Sequence, residues 1–504
     1  MGSIIGKRRG GRTYYYYAES GRVNGRPRIV GQRYLGTAED VAGSLGGSAA
    51  EPERTRQLPF GDVAAVWRTI RSLDLAGIVD GVIGRQRSAV SVGTHLALAV
   101  LERVVGTDSG ELTHLIRAPE QAWEQGRSRR ALRRLDPERR QRIEQAVSAA
   151  VRERIGGGSA LVVDVPQATI DASADGLSGS ALLVSRDGAI PLSSQDHRRG
   201  GDERYAAVAG RLAERHRAGG SAEVTAVFDA GAHAGPSPDV GFVGGLLLTD
   251  HPELLAYTAG ARTAVDERRL PGLTALDTRA VVDGVSRRVV LTHSETLHAA
   301  QARGFAQALN QAARRLDGLA EALAAGTYRH SRDQALAEVA RITRVRWVER
   351  VLVTSLEANP MRLRWHVDEA ARARVAEEFF GKQLLVTDRD GWPVAELVTA
   401  YRARYHLEST FARLAEGPAE PAEVQRMISV LAVTVLHVMR HEAERAGLDL
   451  SVRELFEQLG GIREVVLRYP STGGRPRTRR LLTELTEPQR RLFEVFGLAG
   501  FAPR

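Results

Sequence analysis

The sequence contains no cysteine. Disulfide bonds, thiolate zinc sites and cysteine nucleophiles are therefore excluded, and any metal ion has to be held by oxygen or imidazole ligands. Two common catalytic motifs are also missing. The glycines at 156–158 are not followed by the Gly-Lys-Ser/Thr ending of a phosphate-binding loop, and no Gly-x-Ser-x-Gly nucleophile motif occurs. These absences argue against nucleotide hydrolysis and against a serine hydrolase.

Lysine is almost absent, because only Lys7 and Lys382 are lysines and the other 68 basic residues are arginines. The formal net charge is +9 and the sequence pI is about 10.1, which favours a polyanionic partner. The N-terminus lacks the apolar segment of a secretory signal, and no run of about 18 uncharged apolar residues is found. We expect a soluble cytoplasmic, nucleoid-associated protein without a membrane partner.

The chain has 504 residues, 43% of them hydrophobic and 26% charged, which is enough for about three globular domains. Changes in residue pattern predict an α/β multidomain protein. The predicted segments are a basic Tyr-rich hairpin and linker (1–50), a helical, DNA-binding module (51–155), the first part of a mixed-sheet core (156–240), an insertion (241–390), the last part of that core (391–447) and a C-terminal helical region (448–504).

Three basic segments are candidates for nucleic-acid contact, and two of them also have a simpler interpretation. Tyrosines and arginines in residues 1–37 surround an Asn24-Gly25 turn, which predicts a hairpin that either contacts nucleic acid or forms a solvated edge ribbon. The arginine-rich stretch 127–142 is more typical of a solvated helix face than of a DNA site. The loop that contains Arg475 and Arg477 is a candidate for phosphate contacts.

Two apolar strands each end in an aspartate, Asp164 and Asp229. A carboxylate next to a hydrophobic core is costly unless a cation or a hydrogen-bond network neutralises it. For either residue alone, a simple turn cap is the better explanation. Two histidines near these strands, His197 and His233, lack standard ligand spacing and are predicted to be polar loop residues rather than metal ligands.

A third carboxylate follows on a predicted helix. Tyr401, Arg404 and Glu408 are spaced i, i+3 and i+7, so they share about one helix face. An ordinary Arg404/Glu408 surface ion pair is the simple alternative. The string nevertheless resembles the Tyr-x2-Arg-x3-Glu-x6-Lys signature of the DDE transposases of bacterial insertion sequences. The strands that end in Asp164 and Asp229 stand in that family's order.

This resemblance implies an RNase H-like core with a large insertion before the last catalytic helix. It implies that Asp164, Asp229 and Glu408 bind two Mg²⁺ ions, for which Mn²⁺ would substitute, and cleave and join DNA strands. The implied partners are double-stranded DNA, as element ends and target, and a second copy of the chain when synapsed. The residues expected to contact DNA are Tyr401, Arg404, Arg413, Arg475 and Arg477.

The chain departs from the family pattern at three positions. Ala415 stands where the signature has its lysine, Ala230 follows the second aspartate in place of an arginine, and Pro166 replaces a threonine. A catalytically inactive, transposase-derived DNA-binding protein is therefore an alternative. A nuclease that cuts without joining is a third.

Overall fold

The computed structural model describes residues 2–9, 12–23, 26–37, 52–84, 88–106, 109–116, 118–156, 158–170, 178–186, 188–198, 205–218, 223–229, 240–255, 257, 259–328, 331–358, 360–415, 421–469 and 477–503. The predicted Asn24-Gly25 turn, Arg475, Ala230 and His233 lie outside these ranges.

The described strands are β1 (Gly2–Arg9), β2 (Arg12–Val23), β3 (Arg26–Thr37), β4 (Arg54–Pro59), β5 (Ala160–Pro166), β6 (Ser178–Ser185), β7 (Pro191–Arg198), β8 (Val224–Phe228), β9 (Gly241–Leu246), β10 (Thr263–Ala264), β11 (Leu273–Val282), β12 (Val285–Ser294), β13 (Leu352–Ala358), β14 (Met361–Val367), β15 (Lys382–Thr387), β16 (Arg463–Tyr469) and β17 (Arg477–Leu482).

The described α-helices are α1 (Gly61–Ser72), α2 (Leu75–Ile83), α3 (Val92–Val105), α4 (Ser109–Leu112), α5 (Gln125–Leu132), α6 (Pro137–Ile155), α7 (Gln167–Ile170), α8 (Tyr205–Ala218), α9 (Pro252–Leu255), α10 (Glu295–Ala324), α11 (Arg332–Thr343), α12 (Glu369–Phe379), α13 (Val394–Phe411), α14 (Ala422–Arg445), α15 (Val452–Gly460) and α16 (Glu487–Val495).

The chain divides into two compact units, one formed by residues 1–64 and 457–504 and the other by residues 65–456. The first unit contains two antiparallel sheets, β1-β2-β3 and β17-β16-β4. The prediction of a single N-terminal hairpin was incomplete, because the β-branched run Ile4-Ile5 lies in a third strand and pairs with Tyr17 and Tyr16.

The prediction that residues 448–504 are helical was wrong for part of that segment. β16 and β17 form strands there, and β16 pairs with β4, from a segment expected to be helical. The physical reason is the alternating, β-branched run around Val465-Val466, whose partner strand lies about 400 positions earlier in the chain. A pairing over that separation leaves no local sequence signal.

The second unit is a mixed α/β structure built on a nine-stranded sheet of order β10-β11-β12-β15-β9-β8-β5-β6-β7. β5 pairs in parallel with β8 and β8 with β9, whereas β6, β7, β15, β12 and β11 are joined by antiparallel pairs. The predicted α/β class and mixed sheet are confirmed, and the sheet is large. β5 is buried almost throughout, which agrees with its position inside the sheet.

The predicted insertion, 241–390, does not form a separate domain over its whole length. Its first strand, β9, and its last, β15, lie side by side in the main sheet, and β11 and β12 extend that sheet further. Residues 295–381 between β12 and β15 have a hydrophobic core of their own, formed among others by Phe305, Leu316 and Phe380. The hairpin β13-β14 belongs to this part.

Helix α13 packs on the sheet, and its residues Leu397, Tyr401 and Leu407 join the core formed with Val163 and Val227. Helix α14 is long and apolar enough to span a membrane by length and composition, but 67% of its most apolar window is buried inside the protein. It therefore packs as a core helix.

A close helix crossing in the second unit yields a first prediction. A Cβ atom added at Gly93 in α3 would lie 2.1 Å from the carbonyl oxygen of Ala76, whereas one at Gly81 in α2 would meet nothing within 4 Å. We expect Gly93→Ala to lower the free energy of unfolding by about 1–3 kcal/mol, because backbone atoms must move. Gly81→Ala is the matched control and is expected to raise it by about 0.5–1 kcal/mol, because the helix gains a better former. Urea denaturation of both variants measures the difference, and equal effects would contradict the close crossing.

Candidate active site

The two aspartates predicted from the sequence lie at the same edge of the sheet. Asp164 is near the end of β5, and Asp229 directly follows β8, the parallel neighbour of β5. Val163 and Val227 are paired in register, so the two carboxylates emerge at the carboxyl ends of adjacent parallel strands. Asp164 is buried, with 4% of its surface exposed, whereas 41% of the Asp229 side chain is exposed.

Helix α13 brings the third carboxylate to Asp229. The Tyr401 hydroxyl donates a hydrogen bond to Oδ1 of Asp229 at 2.9 Å, and the Arg404 guanidinium forms an ion pair with Oδ2 at 2.6 Å. Nε of Arg404 also donates to Oε1 of Glu408 at 2.9 Å. The i, i+3, i+7 face predicted from the sequence thus points at the end of β8, and Arg404 links two of the three predicted carboxylates.

Burial and charge act in opposite directions on this cluster. Burial lowers the pKa of Arg404, but the adjacent Asp229 and Glu408 carboxylates raise it by more, and the net shift is upward. Burial also raises the pKa of Tyr401, with smaller contributions from Tyr405 and Asp229. Arg404 is therefore a permanent cation and Tyr401 a neutral hydrogen-bond donor. One guanidinium neutralises much of the negative charge of two carboxylates.

Asp164 has a different partner. Its Oδ1 lies 2.8 Å from Nε2 of His197, and the two side chains are only 6% and 2% exposed. The prediction that His197 is a polar loop residue was wrong, because it lies in β7, an edge strand of the nine-stranded sheet. The ring of Tyr205 packs against that of His197 at a centroid distance of 5.8 Å.

The positions of the three carboxylates decide whether they form a metal site. Carboxylate oxygens are suitable ligands for Mg²⁺. Among the residues that the structure describes, however, no group of three or more His, Asp or Glu side chains stands close enough together to hold a metal ion. The Arg404 guanidinium lies against both Asp229 and Glu408, and His197 binds Asp164. In this arrangement the residues do not fit the expected pair of Mg²⁺ ions.

Of the other residues expected to contact DNA, Arg413 and the backbone of Arg477 are described and Arg475 is not. The Arg413 guanidinium stacks over the Phe456 ring at 4.3 Å. Only the backbone of Arg477 is described, in β17 of the first unit. Ala415, at the lysine position of the signature, donates its backbone N–H to the carbonyl of Arg103 and packs near Gly106.

A groove of about 1,090 Å³ opens beside Asp229 and helix α13. This groove was not predicted from the sequence, because its walls come from segments far apart in the chain. Tyr401 and Tyr405 line one part of it, and Trp347 and Phe379 another. Its cationic lining residues are Arg269, Arg346, Arg350, Lys382 and Arg402.

Comparisons with known proteins add little. No protein-family model matches the chain, and no curated protein matches it. Among solved structures, a synaptic complex of piggyBac transposase with hairpin DNA matches at a TM-score of 0.33 and 9% sequence identity. The match covers 81% of this chain and 82% of that one. Likeness at this level defines neither a fold nor a function for the chain.

Proposed function

We propose that the chain is a DNA transposase of the DDE type, which binds the ends of an insertion sequence and cleaves and transfers DNA strands. The observation that carries the proposal is the contact of Tyr401 and Arg404 with Asp229 and of Arg404 with Glu408. The sequence motif and the strand-end aspartate are independent features, and they meet in one place.

The order of strands supports the proposal. In the order β7-β6-β5-β8-β9, the first three strands are antiparallel neighbours, and β5, β8 and β9 are parallel. Helix α8 connects β7 to β8. This is the arrangement that the family resemblance implies for an RNase H-like core, with Asp164 on its first strand and Asp229 after its fourth. We therefore include that core in the proposal.

The groove supports DNA as the partner. Its five cationic side chains line the same groove as Asp229 and Tyr401, so a polyanion bound there would place its backbone near the Asp229 carboxylate. Aromatic side chains such as Trp347 and Tyr405 provide stacking surfaces for bases. An arginine can exchange a carboxylate partner for a phosphate, since both accept its planar pair of donors.

The residues have separate parts in the proposed reaction. Arg404 would bind a phosphate of the DNA end, and Tyr401 would hold Asp229 in place. Water or a 3′-hydroxyl would attack the scissile phosphorus, and the bond from phosphorus to the leaving oxygen would break. Asp164, Asp229 and Glu408 would hold the cations that activate the nucleophile and stabilise the leaving oxygen. No protein nucleophile is required. The expectation of two Mg²⁺ ions stays a prediction, and the assay below tests it directly.

The test is cleavage of a labelled duplex that carries the terminal sequence flanking this gene, with Mg²⁺, with Ca²⁺ and with EDTA. We expect Mg²⁺-dependent nicking at the end and, with a supercoiled target plasmid, joined products. Nicking without joined products would instead indicate a nuclease that cuts without joining. Binding of the end with no nicking under any condition would reject the enzyme.

A second function is favoured by one observation. The Arg404 guanidinium already pairs with Asp229 and Glu408, and His197 already contacts Asp164, which is the state expected of a transposase-derived protein that binds DNA without cutting it. That protein would bind the same terminal duplex with unchanged affinity in Mg²⁺ and in EDTA.

A further inference from the structure

Edge strand β7 carries a buried side chain, His197, that contacts Asp164. His197 and Asp164 are not on neighbouring strands, because β6 lies between β7 and β5. Asp164 pairs with Ala181 of β6, and His197 pairs with Gly179, two residues earlier on the same strand. Residues two apart on a strand share a face, so the imidazole reaches the carboxylate diagonally across β6.

Gly179 makes that reach possible. A Cβ atom at this position would lie 2.7 Å from both Cε1 and Nε2 of His197 and 2.9 Å from Oδ1 of Asp164. Any other residue would therefore occupy the space through which the two side chains meet. The 2.8 Å contact between Nε2 and Oδ1 depends on an absent side chain in the middle strand.

The chemistry of the pair fixes the direction of the hydrogen bond. Nδ1 of His197 is buried and has no hydrogen-bond partner among the described residues. An unpaired N–H at that buried place would be costlier than a bare acceptor, so the proton belongs on Nε2, which donates to the Asp164 carboxylate. His197 then holds one carboxylate oxygen in a fixed direction.

Tyr205 supports the same corner. Its hydroxyl lies 2.6 Å from the carbonyl oxygen of Val162 and 2.9 Å from that of Val227. These residues stand two positions before Asp164 and Asp229. The hydroxyl therefore ties together the two strand ends that carry the aspartates, while the tyrosine ring packs on His197.

We propose that His197 is the positioning residue of Asp164, and that Gly179 is required for this role. The proposal deepens the proposed function and rests on it for its catalytic consequence. The structural part, a coupled His197–Asp164 pair, is independent of catalysis.

The test compares two amide replacements that differ in reach. In His197→Gln the amide nitrogen takes the place of Nε2, whereas in His197→Asn it is one methylene shorter and falls short of Asp164. Both replacement side chains are polar amides at the same buried position. We expect His197→Asn to lower kcat for end cleavage about 10–100-fold with little change in KM, and His197→Gln to restore most of it. Gly179→Ala is expected to resemble His197→Asn.

A measurement without activity separates this inference from the proposed function. Thermal unfolding is followed for the wild type, His197→Asn, Asp164→Ala and the double variant. We expect the double variant to unfold at nearly the temperature of Asp164→Ala, because the histidine has then lost its partner. Additive shifts, or full cleavage by a folded His197→Asn variant, overturn the inference. If the unfolding temperatures of the variants are coupled but the wild-type protein does not cleave DNA, the proposed function is rejected and the His197–Asp164 pair is retained.

Discussion

Glu408→Gln is expected to reduce Mg²⁺-dependent cleavage of the terminal duplex by about 1,000-fold or more. The replacement keeps the size of the side chain and an oxygen that can accept the hydrogen bond from Nε of Arg404 at the 2.9 Å position. It removes the negative charge that a carboxylate needs to hold a divalent cation beside a phosphodiester. Folding and DNA binding should therefore stay close to those of the wild type. Single-turnover cleavage and a binding titration on the same duplex measure the two effects.

A control on the same helix shows whether the effect is local. Glu396 lies in the first turn of α13 and forms an ion pair with Arg186, away from the Tyr401-to-Glu408 face. Glu396→Gln removes one carboxylate from the same helix and is expected to leave cleavage within a few-fold of wild type. Undiminished cleavage by Glu408→Gln would remove Glu408 from the proposed catalytic set.

Arg404→Met is expected to lower the free energy of unfolding by about 2–4 kcal/mol. Breaking a buried ion pair by removing one partner costs about 3–5 kcal/mol, and partial exposure of the carboxylates reduces this figure. The Arg404 side chain is 11% exposed, those of Glu408 and Asp229 24% and 41%. Without the guanidinium, the Asp229 and Glu408 carboxylates lose the cation that they share. Guanidinium chloride denaturation measures the loss.

Arg402→Met is the matched control two positions away. Arg402 is partly buried, and its pKa is lowered by burial alone. No carboxylate partner is found for it among the residues that the structure describes. Methionine there removes a partly desolvated charge and is expected to leave stability unchanged or slightly higher. Equal losses in both variants would mean that Arg404 stabilises the helix by packing rather than through the two carboxylates.

Local patterns allowed the candidate site to be predicted in part. The apolar runs before Asp164 and Asp229 and the helical spacing of Tyr401, Arg404 and Glu408 are each contained within a few residues, and the structure places them as a strand, a strand and a helix. The contact of Arg404 with Asp229 was not predicted, because the sequence shows only the i, i+4 spacing of Arg404 and Glu408 on one helix.

Features that depend on distant segments were missed for one reason. The pairing of β4 with β16, the groove beside Asp229 and the reach of His197 over Gly179 all need the register of strands that are far apart in sequence. Periodicity gives the face of one strand but not which strand lies next to it. A glycine opposite a histidine becomes informative only after the register is known.

The segment between β12 and β15 enters and leaves the sheet at a single point. His293 pairs with Lys382, and Ser294 donates its backbone N–H to the carbonyl of Gly381. Residues 295–381 are therefore connected to the sheet in the same way as a long hairpin loop. Because the cost of closing a loop grows only slowly with its length, such a segment can lengthen, shorten or be exchanged without disturbing the strands that hold it. With its own hydrophobic core, it has the anatomy of a module that is held by one strand pair and packs largely within itself.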